Sequence, residues 1–251
     1  MKKVVLITGG TSGIGLGTVE YMLDQEYYEL ITVSRSEENI LLAKEKLGIK
    51  SKNVTFLKGD ISKIEDCKNI FKEIKEKFHR LDGLVHSAGI TKKGGIEEES
   101  FEDWNNIINT NLNGIFILTK TLLPLLKLGN NPSIVNISSI SSIRAGNSIA
   151  YCVSKAGVDM LTRCLGKELA KYNIRVNAIN PGEVYSNLSI ANGSFTPQEY
   201  DEHMKERAKT YPLGKVGDSK KDIAPTIELL ISDKSLWTTG AIYVIDGGKS
   251  L

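Results

Sequence analysis

Tyr151 and Lys155 have residue types and a spacing that suit proton chemistry. They stand four residues apart in the segment IAYCVSKAGVDMLTRCLGKELA, which has helical periodicity. Both side chains should emerge from one helix face, one turn apart. A cation at that distance favours tyrosinate and lowers a phenol pKa that starts at about 10, so the pair is a candidate general acid and base. The alternative is a half-buried aromatic ring with a lysine snorkelling beside it.

A cluster of glycines follows an apolar run near the start of the chain. Val4 to Ile7 have the pattern of a buried strand, and the stretch TGGTSGIG then indicates a strand-to-helix turn. A helix that begins near Gly13 would present unpaired N–H groups and the positive end of its dipole, and the missing side chains would let a diphosphate approach the backbone. This pattern predicts an anion site, with a tight connection alone as the alternative.

The elements that must position these residues alternate along the whole chain. Short apolar runs, separated by helical patterns, are VVLI, ELITV, NVTFL, DGLVH, SIVNI, IRVNAI and AIYVI. This alternation predicts a parallel sheet covered on both faces. We therefore expect one α/β domain over residues 1–251, a Rossmann-like, doubly wound parallel sheet of about seven strands with helices on both faces.

Several helix starts are marked in the sequence. Ser62, Ser100 and Thr196 each place a hydroxyl at an N-cap, with an acidic residue three positions later. Pro225 lies inside a predicted helix and should remove a backbone hydrogen bond or mark a later start. The segment at about 186–212 interrupts the alternation of strands and helices. It is predicted to be a lid over the substrate, with surface decoration as the alternative.

Composition argues against several classes of protein. Lys and Arg total 32 against 30 Asp and Glu, and basic stretches alternate in sign, so no nucleic-acid partner is expected. Cys67, Cys152 and Cys164 lie far apart without CxxC spacing, so neither a disulfide framework nor a metal site is indicated. The first apolar run is too short for a signal peptide, and no run approaches the roughly 20 residues of a membrane span. We expect a cytoplasmic protein without a membrane partner.

The motifs, taken in order and with their gaps, resemble the short-chain dehydrogenase/reductase family from Val4 to Gly248. They are TGGTSGIG, Asp60, Asn111, the serines of IVNISS, YCVSK and NPGEVYS. The glycine spacing TGxxxGxG differs from the GxGxxG of the common dinucleotide fingerprint. The resemblance implies an NAD(P)(H)-dependent oxidoreductase that interconverts a carbonyl and a secondary alcohol. A 3-oxoacyl-carrier-protein reductase is the alternative enzyme, and a dinucleotide-binding sensor or scaffold without activity is the alternative of another class.

The resemblance also implies catalytic roles. Tyr151 would exchange a proton with the substrate oxygen, and Lys155 would bind the nicotinamide ribose and lower the pKa of the tyrosine. Asn111 would interrupt a long helix and hold a water in the proton relay. The serine that binds the substrate oxygen is Ser139 by ungapped alignment of the strand end, whereas the usual serine-to-tyrosine gap points to Ser138. We prefer Ser139, because strand alternation fixes which side chain faces the site.

A cofactor-binding set follows from the same resemblance. Its members are Gly9, Thr11, Ser12, Gly13, Ile14, Gly15, Ser34, Arg35, Asp60, Ile61, Ser87, Ala88, Gly89, Tyr151, Lys155, Pro181, Gly182, Val184 and Ser186. Asp60 and Ile61 would flank the adenine, and the backbone of Val184 and the hydroxyl of Ser186 would meet the nicotinamide carboxamide.

The end of the second predicted strand favours NADPH over NADH. An NAD-dependent enzyme normally has an acidic residue there for the ribose hydroxyls, whereas this sequence has Ser34 and Arg35. Arg35 could pair with a 2′-phosphate. The alternative is a surface arginine that pairs with Glu37 or Glu38.

Other features are expectations about structure and partners. His86 stands where the family has the first asparagine of NNAG, and we expect a structural histidine there. The segment FILTKTLLPLLKL is apolar on more than one helical face, which favours a homotetramer or homodimer. A carrier-protein substrate would call for basic residues at the mouth of the site, and the candidates are Lys92, Lys93, Lys205 and Arg207.

Overall fold

The seven apolar runs form seven parallel strands of one sheet. The computed structural model describes residues 2–146, 148–185 and 195–251. The strands are β1 (Lys3–Thr8), β2 (Tyr28–Ser34), β3 (Val54–Lys58), β4 (Gly83–His86), β5 (Ser133–Ile137), β6 (Arg175–Pro181) and β7 (Ile242–Ile245). Their order in the sheet is β3-β2-β1-β4-β5-β6-β7. The predicted doubly wound parallel sheet is therefore confirmed.

Helices connect the strands and cover both faces of the sheet. In the described residues they are α1 (Gly13–Leu23), α2 (Glu37–Leu47), α3 (Ile64–Phe78), α4 (Phe101–Ile108), α5 (Gly114–Leu126), α6 (Ile149–Leu169), α7 (Pro197–Ala208) and α8 (Ala224–Ile231). A π-helical turn, Asn109–Asn113, joins α4 to α5. No helix of the described residues is long and apolar enough to cross a membrane.

Alternation along β1 builds a hydrophobic core on each face of the sheet. Val5 and Ile7 belong to the core that α1 and α8 close, and Met22 of α1 is buried there. Leu6 points to the other face, into the core that α3 and α5 close with Leu118. Both cores are fully buried at these positions. Since successive side chains of a strand point to opposite faces, one apolar strand contributes to both cores.

The position of β1 between β2 and β4 creates the crevice that positions the site. Thr8 at the end of β1 pairs with Val33 of β2 and with His86 of β4. The chain thus winds away from β1 in both directions, and such a switch point leaves a crevice at the carboxyl ends of the strands.

Two of the three predicted N-caps are confirmed, and one is wrong. Ser100 accepts from the backbone N–H of Asp103, and Thr196 forms a capping box with Glu199. Helix α3 instead begins after Lys63, because the Ser62 hydroxyl bonds Asp60 Oδ1 at 2.7 Å. The local carboxylate therefore outcompetes the helix for this serine.

Pro225 lies in the first turn of α8. Of the two alternatives predicted for this proline, it therefore marks a later helix start. Part of the predicted lid lies outside the described residues, namely 186–194. Its remainder forms α7, whose Tyr200 and Met204 are buried.

Candidate active site

A cleft of about 660 Å³ lies at the carboxyl ends of the strands. Most of the predicted site residues line it: Gly9, Thr11, Ser12, Gly13, Ile14, Ser34, Arg35, Asp60, Ile61, Ser87, Ala88, Gly89, Ser138, Ser139, Tyr151, Lys155, Pro181, Gly182 and Val184. Gly15 and Asn111 are not among the lining residues. Ser186 lies outside the described residues. The fold thus brings both predicted clusters, the glycine turn and the tyrosine–lysine pair, to one cavity.

The glycine turn between β1 and α1 leaves room and free donors for a phosphate group. Gly9 has φ +65°, and a Cβ there would lie 2.9 Å from the backbone N and Cα of Ala88. A Cβ on Gly15 would overlap the Gly9 carbonyl, so Gly15 serves the close packing of α1 against the turn. Ser12, the N-cap of α1, makes no side-chain bond to the first turn. The N–H groups of that turn therefore remain available to an anion, and the residues fit a dinucleotide diphosphate.

Ser138 and Ser139 differ in what their hydroxyls contact. Ser138 Oγ donates to the backbone carbonyl of Lys155 at 3.0 Å. Ser139 accepts from the N–H of Ser141 at 3.1 Å, and its side chain is near enough to the Tyr151 phenol to lower the pKa of that phenol. Of the two serines, Ser139 is therefore the one near the tyrosine, and its predicted catalytic role stays a prediction.

Burial raises the pKa of Tyr151, which is the opposite of the predicted direction. The hydrogen bond with Ser139 lowers this pKa, but burial is the larger cause. Lys155 Nζ lies 5.5 Å from the centre of the tyrosine ring and donates to the carbonyl of Ile137 at 2.8 Å. Lys155 is not among the causes of the Tyr151 shift, so its predicted lowering of the phenol pKa stays a prediction. Burial lowers the pKa of Lys155 itself to about 8.

Asn111 lies in the π-helical turn, beside the cleft and not on its surface. Its side-chain oxygen accepts from the N–H of Ile90 at 2.8 Å, and its nitrogen donates to the Ile90 carbonyl at 2.9 Å and to Ser154 Oγ at 3.1 Å. The predicted interruption of a long helix is confirmed. These bonds fix the loop after β4 to α6, and the predicted role of Asn111 in holding a water stays a prediction.

At the end of β2, the partner of Arg35 is Asp60. Arg35 Nη1 lies 3.8 Å from Asp60 Oδ2, and half of the arginine side chain is exposed. The carboxylate of Glu37 instead lies 3.9 Å from Lys58. Two further cleft residues were missed from the sequence: Ser36, which caps α2 by accepting from the N–H of Asn39, and Asn39 itself. The signal for Ser36 was its position before the helical pattern.

His86 is buried in β4 and does not line the cleft. Its Nε2 lies 2.9 Å from Thr119 Oγ1, and its Nδ1 has no partner among the described residues. Burial lowers the pKa of this imidazole to about 3. The residue is therefore neutral at ordinary pH and occupies a structural position.

Helix α7 and the loop after β6 also line the cleft. Arg207 Nε donates to Glu183 Oε2 at 2.6 Å, and the Tyr211 hydroxyl accepts from the Glu183 N–H at 2.7 Å. Glu183 and Tyr211 were missed, because their partners are distant in sequence.

Of the other basic candidates for the cleft mouth, Lys92 pairs with Asp103 at 2.7 Å and Lys93 lies over the Phe195 ring at 4.5 Å. Lys93 lines the cleft. Lys205 is exposed on α7. Within the described residues, no group of His, Cys, Asp or Glu side chains could hold a metal ion.

Comparison with known proteins places this geometry in a family. A family model described as short chain dehydrogenase matches residues 3–195. The 3-oxoacyl-[acyl-carrier-protein] reductase FabG of Thermotoga maritima is 36% identical over 249 residues, which cover 98% of this chain and 97% of the relative.

Solved structures are also similar to this chain over almost its whole length. ElxO with NADP bound has a TM-score of 0.87 and 32% identity, over 99% of each chain. Levodione reductase has a TM-score of 0.89 and 29% identity, over 99% of this chain and 97% of the other. Since the family model covers most of the sequence, the chain belongs to the short-chain dehydrogenase family.

Proposed function

We propose that this oxidoreductase reduces a carbonyl compound to a secondary alcohol with NADPH, and that Tyr151 supplies the proton. The observation that carries the proposal is that Ser139 and Tyr151 both line the cleft that the glycine turn also lines. A hydroxyl donor and a phenol that face one position can bind a carbonyl oxygen and protonate it.

The direction of the pKa shift suits reduction. Burial raises the pKa of Tyr151, which keeps the phenol protonated and ready to donate. Ser139 would donate a hydrogen bond to the same oxygen as negative charge develops on it. Lys155, held at 2.8 Å by the Ile137 carbonyl, would bind the ribose of the cofactor. When bound, the reduced nicotinamide supplies the hydride.

The residues that would hold the cofactor follow the cleft. The first-turn N–H groups of α1 would bind the diphosphate. Asp60 and Ile61 would flank the adenine, and Pro181, Gly182 and Val184 would lie beneath the nicotinamide.

A preference for NADPH has two supports. Arg35 is half-exposed at the cleft, where it can pair with a 2′-phosphate. The structure of ElxO, 32% identical to this chain, holds NADP.

A single domain with a lid is part of the proposal. Tyr200 and Met204 of α7 line the cleft and present an apolar surface to a substrate. We also propose a homotetramer or homodimer in the cytoplasm. Its support is the exposure of apolar side chains on two helices, Phe116 of α5 and Met160 of α6, which are 49% and 57% exposed.

A second candidate is the reduction of a 3-oxoacyl group on a carrier protein. The similarity to the Thermotoga maritima reductase favours it. Lys93 at the cleft would be available to an anionic carrier arm, whereas Lys92 and Arg207 already pair with acidic side chains.

The test combines a substrate panel with one substitution. Ketones, sugars, steroids and 3-oxoacyl thioesters are assayed by nicotinamide absorbance with NADPH and with NADH, and alcohols with the oxidised cofactors. Tyr151→Phe should leave the NADPH Kd within about twofold and lower kcat by about 10²–10⁴-fold. Tyr172→Phe, which removes a phenol beyond the end of α6, is the control and should leave kcat unchanged.

Each outcome of the test decides a different part of the proposal. Full activity of Tyr151→Phe would contradict the role of the tyrosine. No turnover of any compound, with NADPH still bound, would favour a dinucleotide-binding protein without activity.

A further inference from the structure

We infer that Glu99 is a positioning residue for Tyr151, which it holds through the first turn of α6. This inference rests on the proposed role of Tyr151 as the proton donor. Glu99 lies in the loop between β4 and α4. Its Oε2 accepts from the backbone N–H of Ala150 at 3.0 Å, and its Oε1 accepts from the Ser148 hydroxyl at 3.3 Å. Both donors belong to the start of the helix that carries the tyrosine.

Tyr151 lies in the first turn of α6, where the backbone hydrogen bonding of a helix is incomplete. N–H groups of a first turn have no partner within the helix. In α6 the Ala150 N–H is taken by Glu99, and the Tyr151 N–H donates to Ser148 Oγ at 3.3 Å. The Ser148 hydroxyl therefore accepts from Tyr151 and donates to Glu99, so the two side chains cap the turn together. A carboxylate at this end also interacts favourably with the helix dipole.

The next turn of α6 is attached to the sheet. Lys155 Nζ donates to the Ile137 carbonyl at 2.8 Å, and Ser138 Oγ donates to the Lys155 carbonyl at 3.0 Å. The turn that contains Tyr151 thus lies between the attachment to β5 and the contact with Glu99. Without Glu99, the Ala150 N–H would lose its acceptor, and the start of α6 would be held less firmly.

The loop that presents Glu99 is itself ordered around this contact. The Glu99 N–H donates to the Gly95 carbonyl at 2.9 Å, and Gly94 forms a parallel bridge with Ser148. Thr91 and Lys93 of the same loop line the cleft. The loop therefore links one wall of the cleft to the helix start that carries the phenol.

A small tilt of this turn would move the tyrosine hydroxyl away from Ser139, because the hydroxyl lies at the far end of a rigid ring. A displacement of about 1 Å in a reacting group can lower a rate about 10²-fold. The expected signature is a loss in kcat without a loss of cofactor binding, since Glu99 bonds its own loop and the start of α6, whereas the proposed phosphate site is at the start of α1.

The test compares variants of two adjacent glutamates. Glu99→Ala should lower kcat by about 10- to 100-fold and leave the NADPH Kd and the KM for NADPH within about twofold. Glu99→Gln keeps an oxygen acceptor for the Ala150 N–H and should recover most of the activity. Glu98→Ala is the matched control: the Glu98 carboxylate accepts from the Gly95 N–H at 2.8 Å, inside the loop. This variant should behave like the unmodified protein.

Hydrogen–deuterium exchange supplies a readout that is independent of turnover. In Glu99→Ala the amides of residues 148–153 should exchange faster, whereas Glu98→Ala should leave them unchanged. Ser148→Ala, a second variant that removes the other half of the cap, should lower kcat in the same way. If neither Glu99→Ala nor Ser148→Ala lowers kcat while Tyr151→Phe is inactive, the inference is overturned. If Tyr151→Phe is active, the proposed function fails instead.

Discussion

Ser138 donates a hydrogen bond from its hydroxyl to the backbone carbonyl of Lys155, at 3.0 Å. This bond turns the Ser138 side chain toward α6 and joins the end of β5 to the helix. The next residue, Ser139, consequently faces Tyr151. Adjacent serines thus have different tasks, one in packing and one proposed in catalysis.

We predict that alanine substitutions separate these tasks. Ser139→Ala should lower kcat by about 10²–10³-fold, the usual cost of losing one donor to a developing oxyanion, with little change in Tm. Ser138→Ala should retain most of kcat and lose about 1 kcal/mol of unfolding free energy, because a buried hydrogen bond is lost. Steady-state kinetics and thermal unfolding measure both effects. A larger loss of kcat in Ser138→Ala would reverse the assignment.

Cofactor preference should depend on the end of β2. The double variant Ser34→Asp with Arg35→Ala should shift the preference from NADPH toward NADH. One change removes the cation that pairs with the 2′-phosphate, and the other adds an acceptor for the ribose hydroxyls that repels the phosphate. Fluorescence titration with both cofactors at low salt measures the shift. Arg163→Ala, which removes an exposed arginine of α6, should change neither Kd. Equal affinities of the unmodified protein for both cofactors would contradict a role for Arg35.

The buried His86 should make the fold sensitive to acid. Burial lowers its pKa from 6.5 to about 3, so the unfolded chain takes up a proton at a pH where the folded chain does not. Stability should therefore fall as pH decreases from 6.5 toward 3, by at most about 1.4 kcal/mol per pH unit. Denaturant unfolding between pH 7 and pH 4 measures this slope.

Another histidine serves as the control for this dependence of the unfolding free energy on pH. His86→Asn should flatten the pH dependence. His79→Asn should not, because His79 is exposed and its φ of +65° is one that asparagine tolerates. Identical slopes for the His86→Asn variant and the unmodified protein would show that other groups cause the acid sensitivity.

The ion pair between Arg207 and Glu183 should affect substrate binding more than stability. Both side chains are about one-third exposed, at 36% and 35%, so solvent screens the pair and its loss should change Tm little. Because the pair joins α7 to the loop after β6, Arg207→Gln should raise the substrate KM several-fold, with the NADPH Kd within about twofold. The control is Lys209→Gln, which breaks an exposed pair with Glu206 at the end of the same helix. An unchanged KM in Arg207→Gln would contradict the lid role of α7.

The sheet and most of the residues that line the cleft could be predicted because their signals are local. Buried parallel strands are continuous apolar runs, and the turn that follows β1 is marked by glycines such as Gly9, whose φ is positive. The N-caps at Ser100 and Thr196 can be recognised from four residues of sequence, a hydroxyl residue followed three positions later by an acidic residue. Ser62 has the same pattern, yet Asp60, two residues earlier, takes its hydroxyl.

The properties of the site that depend on distant contacts could not be predicted. The direction of the Tyr151 pKa shift depends on burial, and the ammonium of Lys155 bonds a carbonyl 18 residues away in the chain. Glu99 contacts Ala150 across 51 residues, and Arg207 contacts Glu183 across 24. Nothing in the local sequence distinguishes Glu99 from Glu98 before it.

The position of β1 between β2 and β4 also orders events during synthesis. Strands β1 to β3, at the proposed adenosine half of the cleft, are complete once Lys58 has been made, but β1 lacks its second neighbour until Gly83–His86 follow. The proposed reaction half then needs Tyr151 and the loop after Pro181. A ribosome-bound chain that ends before these residues can hold at most part of a dinucleotide. Tight binding of the whole cofactor would therefore begin only when most of the protein has been made, and the cofactor would stabilise the finished fold and not its early intermediates.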